Sequence, residues 1–285
     1  MTGALLSFSV MAVSIRTLAA SLSIFEILTV RSGLALVILL GLAAWRPRLL
    51  RGISLARLRE HLMRNIIHFV ALYAWAVSLT LLPLATVFAL EFTMPAHTAL
   101  LAALFLGERL TPSRIGVVVF GFLGVLVILR PGMESFRPAA LLVLAAAFGY
   151  AVTMIYLKRL TTTESAFAVV FWMNFLQFPF GLAGSEPAAF FRLGTDLLPV
   201  LGLGICGLSA HYCLTNAFRA GDASLVIPLD FMRIPLIAVV GWWLYGEGLD
   251  LWVLAGTGLI VVGVLWNLRA EAAGMTSPAT ALPDE

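Results

Sequence analysis

The sequence contains few charged residues. Asp, Glu, Lys and Arg make up only 12% of its 285 residues, whereas 61% are hydrophobic. Soluble domains have about 25% charged residues, so a soluble fold is excluded and a protein that crosses a membrane several times is predicted. The net charge of +3 does not indicate a nucleic-acid partner, because the basic residues lie in short loops between apolar runs, where such residues orient membrane helices.

Cysteine is also scarce. The chain has two cysteines, Cys206 and Cys213, which lie seven residues apart in one apolar run. On a helix that rises 1.5 Å per residue, their backbones would be about 10 Å apart, which is too far for a disulfide bond. The two cysteines are therefore interpreted as small packing residues.

Motifs of enzymes and metal proteins are missing from the sequence. No set of His, Cys, Asp and Glu residues has the spacing of metal ligands. A nucleophile with its base and acid, a phosphate-binding loop and a Cys-rich motif are also absent from the sequence. We therefore expect no enzyme activity, no metal and no cofactor.

The chain is instead rich in apolar runs close to the length of about 20 residues that a membrane helix requires. The first run begins almost at Met1, and a cleaved signal peptide is the alternative interpretation for it. No basic segment precedes this run, and Arg16 interrupts it before any cleavage site, which disfavours the alternative. The ten predicted spans are residues 3–20, 24–44, 62–82, 85–106, 112–129, 138–157, 166–182, 196–217, 223–245 and 249–268.

A stretch in the first half of the chain recurs near its C-terminus. A shift of 139 positions places residues 85–130 on residues 224–269, with 12 identities in 46 positions. The sequence is therefore predicted to contain a duplicated unit. The match places Glu108 on Glu247, each at the end of a span, which suggests a shared structural task such as tying the next helix or loop through a hydrogen bond.

Lys and Arg are distributed unevenly between the two sides of the predicted spans. With a cytoplasmic N-terminus, twelve of them lie on the inner side and three on the outer side, which predicts that both termini are cytoplasmic. Because each unit contains five spans, the second unit enters the membrane inverted relative to the first. We predict an all-α polytopic membrane protein of ten transmembrane helices, with two inverted five-helix repeats at 1–132 and 133–270 and a disordered cytoplasmic tail at 271–285.

Three segments carry a resemblance to a known family. They are FEILTVRSGLALVI in the second span, ALEFTMPAHTALLAALFLGERLTPSRIGVVVFGFLGVLVILRPG in the first unit and DFMRIPLIAVVGWWLYGE in the second. With these segments and its ten spans, the chain resembles the EamA-type carriers of the drug/metabolite transporter superfamily over residues 3–269. The resemblance implies a transporter of the bacterial inner membrane that moves small metabolites through a central cavity. It implies no particular substrate, because members differ widely.

Ionisable residues inside the predicted spans are the main candidates for a site. The five clear cases are Arg16, Arg31, Glu91, Asp230 and Arg233. Each costs about 2.5–3.5 kcal/mol at the bilayer centre and therefore requires a partner or water. Arg31 and Glu91 both lie about 10 Å below the outer surface and could pair. Asp230 matches Glu91 in the repeat and projects from a face next to that of Arg233.

These residues allow two interpretations. In the first, they line a cavity in which arginine binds a carboxylate or phosphate and Glu91 or Asp230 takes up a coupling proton. In the second, the pairs Arg31 with Glu91 and Asp230 with Arg233 are salt bridges that fix helix packing or a gate. Arg16 lies near a span end, where it can extend to the headgroups. The predicted substrate-binding residues are Arg31, Glu91, Asp230, Arg233, Tyr150, Trp75 and His211, of which Tyr150 and Trp75 would form cavity wall and His211 could relay protons.

Taken together, the sequence predicts a secondary active transporter of a small polar metabolite that works by alternating access. Three intramembrane arginines against two acids favour an amino acid or another anionic or zwitterionic compound. Membrane lipids, protons and a second copy of the chain in a homodimer are further partners that we consider. The alternatives are a non-transporting membrane subunit, in which the buried charges only neutralise one another, and an intramembrane lipid-handling enzyme.

Overall fold

A computed structural model of the chain describes residues 2–106, 111–130, 137–160, 163–188, 197–220, 233–248 and 250–275. In these ranges all regular secondary structure is helical, with a short 3₁₀ segment at Pro47–Gly52. The α-helices are α1 (Thr2–Leu18), α2 (Ile24–Trp45), α3 (Leu58–Leu81), α4 (Leu84–Glu91), α5 (Met94–Leu106), α6 (Pro112–Leu129), α7 (Ala140–Leu160), α8 (Ala166–Ala183), α9 (Leu197–Ala220), α10 (Arg233–Tyr245) and α11 (Leu251–Met275).

Within the described residues, seven helical segments are long and apolar enough to cross a membrane. Three shorter apolar helices, Thr2–Leu18, Leu197–Cys213 and Arg233–Tyr245, coincide with further predicted spans. Large apolar side chains cover the outside of the bundle, for example Leu198, which is 83% exposed, and Trp243, which is 76% exposed. Such a surface is compatible with lipid rather than water, so the chain is a multi-pass membrane protein.

The predicted single span at residues 85–106 is two helices. α4 ends at Glu91, two turn residues follow, and α5 begins at Met94. The reason is Pro95, which has no N–H to donate to the carbonyl of Glu91 and so interrupts the helical hydrogen bonds. The hydroxyl of Thr93 donates to the carbonyl of Leu90 at 2.7 Å and satisfies one of the carbonyl groups at the break.

Two other helix ends show how the sequence sets the boundaries. α2 begins with a capping box, in which Ser23 and Glu26 exchange side-chain and backbone hydrogen bonds. α11 continues to Met275, so the predicted disordered tail is wrong for residues 271–275. This segment reads EAAGM, and its glutamate and alanines favour helix. The rest of the predicted tail lies outside the described residues.

Antiparallel helix pairs form most of the bundle. α1 packs on α9, α2 on α8, α3 on α7 and α6 on α11, while the short α4 packs on α10. In the first pair, Ser7 hydrogen-bonds Ser209 at 2.7 Å, whereas the later Ser14 lies against the earlier Gly202. The buried core between the pairs includes Phe88 and Ile237, which are fully buried.

Glycines set the spacing between α6 and α11. A β-carbon on Gly124 would lie 2.6 Å from the carbonyl oxygen of Gly256, and a β-carbon on Gly256 would lie 2.6 Å from the carbonyl oxygen of Gly124. The two backbones therefore touch, as small residues permit at helix contacts in membranes. Gly258, two residues further along α11, is exposed, and a β-carbon there would meet nothing within 4 Å.

Replacing Gly256 with alanine is expected to lower the free energy of unfolding by about 1–3 kcal/mol, because the added methyl group must separate the two helices. Gly258→Ala is the matched control on the same helix and is expected to unfold like the parent chain. The measurement is the thermal unfolding midpoint of the protein purified in detergent. Equal midpoints for the two variants would contradict the direct contact between α6 and α11.

Candidate functional site

Glu91 lies at the break between α4 and α5, inside the bundle. Its Oε2 accepts a 2.8 Å hydrogen bond from Nε1 of Trp75, which is 2% exposed. Its Oε1 lies 3.7 Å from a guanidinium nitrogen of Arg233, the first residue of α10. The carboxylate is therefore held by an indole from α3 and a cation from the second half of the chain.

Aromatic rings surround the guanidinium of Arg233. Its central carbon lies 4.4 Å from the ring centre of Phe8, 5.3 Å from that of Phe88 and 5.0 Å from that of Phe92. These distances are typical of cation–π contacts, which stabilise a cation that has lost its water. The phenylalanines come from α1, α4 and the turn after α4, so the cage exists only in the folded bundle.

Arg31 forms a second cluster. It is buried, and its guanidinium donates to Oε1 of Gln177 at 3.5 Å. The amide of Gln177 donates in turn to Oδ1 of Asn65 at 3.2 Å and contacts Nδ1 of His68 at 2.9 Å. Gln177 thus links Arg31 on α2 to two polar residues on α3.

The predicted pairing of Arg31 with Glu91 is wrong. Arg31 bonds Gln177, whereas the cation next to Glu91 is Arg233. The physical reason is helix packing: α2 packs against α8 and α9, whereas α4 packs against α10. Two side chains at equal depth therefore face different neighbours. The predicted partner of Arg233, Asp230, lies outside the described residues.

Tyr150 and two histidines lie between the clusters. The ring centre of His68 is 5.5 Å from that of Tyr150 and 6.5 Å from that of His211. Tyr150 interacts electrostatically with Glu91, Arg31 and Arg233. The structure therefore brings six of the seven predicted binding residues into one central region: Arg31, Glu91, Arg233, Tyr150, Trp75 and His211.

Sequence reasoning missed several members of this region. Asn65 and Gln177 are fully buried polar residues, and their occurrence inside apolar runs is a signal that could have found them. Phe8 and Phe92 carry no such signal, because a phenylalanine in an apolar run is expected at almost any position of a membrane helix.

An ion pair joins α1 to the residues after α10, at the end of the bundle that the charge pattern predicts to face outside. Arg16 pairs with Oε1 of Glu247 and stacks on the ring of Tyr245 at 4.5 Å, so it does not extend to the headgroups as predicted. Oε2 of Glu247 accepts a 2.9 Å hydrogen bond from the backbone N–H of Leu84 at the start of α4. This bond gives Glu247 a structural role, but it ties α4 rather than the next helix or loop; Glu108 lies outside the described residues.

Polar contacts also connect helices at the opposite, predicted inner end. Nε2 of His61 lies 2.7 Å from a carboxylate oxygen of Glu164, and both side chains are buried. Arg57 bonds Glu60 at 2.6 Å and donates to the backbone carbonyl of Arg159 at 2.6 Å. The bond to Glu60 raises the pKa of the Arg57 guanidinium above its usual value, so Arg57 stays charged at physiological pH.

An apolar groove lies apart from the central region. A groove of about 680 Å³ between α1, α9 and α10 is lined almost entirely by apolar side chains, and none of the predicted site residues lines it. In the described part of the chain, His, Cys, Asp and Glu form no group of three that could hold a metal ion. Cys206 and Cys213 are both free thiols.

Comparison with known proteins identifies the family. The chain is 32% identical over 237 residues to a riboflavin transporter of Rhizobium johnstonii, which covers 81% of this chain and 78% of the relative. It is 27% identical to an S-adenosylmethionine uptake transporter of Rickettsia felis over 76% of this chain and 74% of the relative. A crystal structure of a protein 17% identical in sequence shares the fold, with a TM-score of 0.58 over 97% of this chain and 96% of its own.

The family model of the EamA-like transporters matches residues 1–130 and 137–269. The matched ranges include nearly all described helices and confirm the resemblance drawn from the sequence. The relatives named above are transporters, so the chain is a transporter and not an enzyme. The chain belongs to the EamA-like transporter family.

Proposed function

We propose that the chain is a secondary active transporter that moves a small zwitterionic or anionic metabolite across the bacterial inner membrane by alternating access. The observation that carries this proposal is the central region itself. An acid, Glu91, and two arginines, Arg31 and Arg233, lie buried or partly buried among aromatic rings inside an otherwise apolar bundle. Such groups are costly in a membrane and mark solute or ion pathways.

The chemistry of the region fits a zwitterion that carries a planar group. A guanidinium binds a carboxylate through two parallel hydrogen bonds, and the carboxylate of Glu91 attracts an ammonium or sulfonium. Trp75 and Tyr150 offer faces for a planar ring. S-adenosylmethionine, named as the cargo of one relative, has all of these groups. Riboflavin, named for another, has a planar ring without a fixed charge, so charge distinguishes the two candidates.

Two inverted five-helix repeats, residues 1–132 and 133–270, provide the proposed framework. Two matched ranges of the family model, 1–130 and 137–269, support the duplication. The helices of the internal match, α4 and α10, pack in opposite directions, since Leu84 contacts Glu247 while Glu91 contacts Arg233. The excess of Lys and Arg in inner loops supports cytoplasmic termini. A site between inverted repeats near the membrane midplane is common in secondary transporters.

Alternating access requires that the two ends of the bundle open in turn. The outer ion pair of Arg16 with Glu247 and the inner contact of His61 with Glu164 each join helices from both proposed halves. In the proposed cycle one of these contacts separates while the other holds. Glu91 and Asp230 are the proposed carriers of a coupling proton. For Asp230, which lies outside the described residues, this proposal rests on the sequence alone.

A non-transporting subunit is less consistent with the charges. In that alternative, buried charges only neutralise one another. Arg31, however, forms no ion pair with a carboxylate of the described residues, and its Nε has no hydrogen-bond partner among them. A buried guanidinium in this condition indicates a ligand that arrives from outside the protein.

Counterflow in proteoliposomes tests the function. Vesicles are loaded with unlabelled S-adenosylmethionine, an amino-acid mixture or riboflavin, and entry of the matching labelled solute is followed. Labelled S-adenosylmethionine or an amino acid is expected to enter about 100-fold faster than into protein-free vesicles. Methylthioadenosine, which lacks the amino-acid group, is expected not to compete.

Two outcomes would contradict the proposal. Exchange of riboflavin alone would show that the transported solute is a neutral flavin and not a charged metabolite. The absence of exchange with every member of the panel would remove the case for a carrier of these compounds.

A further inference from the structure

We propose that Arg31 and Arg64 form a two-arginine site that binds the oxyanion of the transported metabolite. This site presupposes the transport function proposed above and extends it by Arg64, which is not among the predicted binding residues. The ligand is a carboxylate or a phosphate, because both present coplanar oxygens that match the donors of a guanidinium.

Both guanidinium groups are buried and incompletely bonded. Arg64 is 5% exposed, and its Nε and one terminal nitrogen have no hydrogen-bond partner in the described part of the chain. Arg31 is 2% exposed, and its Nε is likewise without a partner there. Neither residue forms an ion pair with a described carboxylate. Buried cations without a counter-ion are costly for the fold, so their retention requires a function.

The two arginines face the same pair of histidines. Arg64 precedes His68 by four residues on α3, so both side chains lie on one face of that helix. His68 and His211, whose rings are 6.5 Å apart, each interact electrostatically with Arg31 and with Arg64. Gln177 completes the connection, since it bonds both Arg31 and His68.

A glycine allows Arg31 to lie close to α9. A β-carbon on Gly207 of α9 would lie 3.2 Å from Nε of Arg31, closer than an ordinary contact. His211 follows Gly207 by four residues, on the same face of α9. The side chain of Arg31 therefore packs against α9 at a position without a side chain, one turn from His211, which also interacts electrostatically with Arg64.

Two acids on the inner side, near Arg64, are already engaged. Glu60 lies one turn before Arg64 on α3, but its carboxylate forms two hydrogen bonds with Arg57. Glu164 contacts His61 at 2.7 Å. The described residues around Arg31 and Arg64 therefore carry excess positive charge, and an oxyanion on the transported molecule would balance it.

Thermal unfolding of the full chain in detergent provides a test that needs no known substrate. The probes are sodium acetate and sodium phosphate, compared with sodium chloride at equal ionic strength. Either oxyanion is expected to raise the unfolding midpoint of the parent chain by a few degrees, and Arg64→Gln and Arg31→Gln are each expected to remove this rise. A rise with acetate alone identifies a carboxylate site, and a larger rise with phosphate identifies a phosphate site. Arg48→Gln, which changes an exposed arginine, is expected to keep the rise.

A second readout separates a ligand site from a structural role. Without added oxyanion, Arg64→Gln is expected to unfold at a higher temperature than the parent, because a buried cation has been removed. In vesicles, the same variant is expected to exchange the labelled solute at least tenfold more slowly, and Arg64→Lys is expected to recover part of the rate.

Three results would overturn the site. They are no midpoint rise in the parent chain, an undiminished rise in both glutamine variants, and a lower midpoint of Arg64→Gln with unchanged exchange per folded molecule. Failure of the transport function is distinguishable, since it would leave the oxyanion-dependent midpoint intact while the parent chain exchanged nothing.

Discussion

Substitution of Arg233 by glutamine is expected to reduce solute exchange about 100-fold, to the background of protein-free vesicles. Charge-assisted hydrogen bonds are worth about 1.5–3 kcal/mol and cation–π contacts about 0.5–2 kcal/mol. Arg233 lies near Glu91 and within the cage of Phe8, Phe88 and Phe92. Glutamine keeps a polar amide, although on a shorter side chain, and removes the charge that both kinds of contact require.

The measurement is the initial rate of counterflow, normalised to the amount of inserted protein. Membrane insertion and the elution profile in detergent are expected to match those of the parent chain. Arg233→Lys, which retains a cation, is expected to keep part of the rate, and the exposed Arg48→Gln all of it. Unchanged kinetics of Arg233→Gln would remove Arg233 from the site.

Substitution of Glu91 by glutamine is expected to abolish accumulation driven by a proton gradient. Glutamine has nearly the same shape as glutamate and can still accept the hydrogen bond from Trp75, which is 2.8 Å in the parent chain. It cannot bind and release a proton near neutral pH. The pH dependence of transport is therefore expected to become flat, and accumulation in a gradient is expected to fall to the level found without one.

Comparison of two assays separates the roles of Glu91. Loss of gradient-driven accumulation with retained counterflow is the result expected of a proton carrier. Loss of both would make Glu91 a ligand for the cationic group of the solute. A variant with the parental pH profile would contradict proton coupling through Glu91 and transfer that role to another acid or to uniport. Glu186→Gln, at an exposed position, is the matched control.

The sequence allowed the spans and their buried ions to be predicted, because each follows from composition over a short window. Arg31 and Glu91 stand out as single charges in apolar runs, and the structure places both in the central region. The partners could not be predicted in the same way. Which side chain faces Arg31 depends on how α2 rotates against α8, and this rotation is set by packing of many apolar contacts.

Breaks within a helix were easier to predict from the sequence than contacts between residues far apart in the chain. Pro95 indicates the interruption after Glu91 because it lacks an N–H group, although the length of the apolar run favoured one continuous span. The cage around Arg233 gave no comparable signal, since Phe8 and Arg233 are far apart in sequence and meet at 4.4 Å only after the bundle forms. Arg64 was not predicted as a site residue, because it lies near the start of its span, yet it is buried.

The eight residues of α4 belong to the first half of the sequence but are held at both ends by the second. Leu84 is hydrogen-bonded to Glu247 and Glu91 lies next to Arg233, so the antiparallel α10 holds α4 at both of its ends. During a conformational change the two should travel as one rigid body. The interface that slides during transport would then lie on the side of α4 that faces away from α10. The loop at residues 82–83 would act as the hinge of α4.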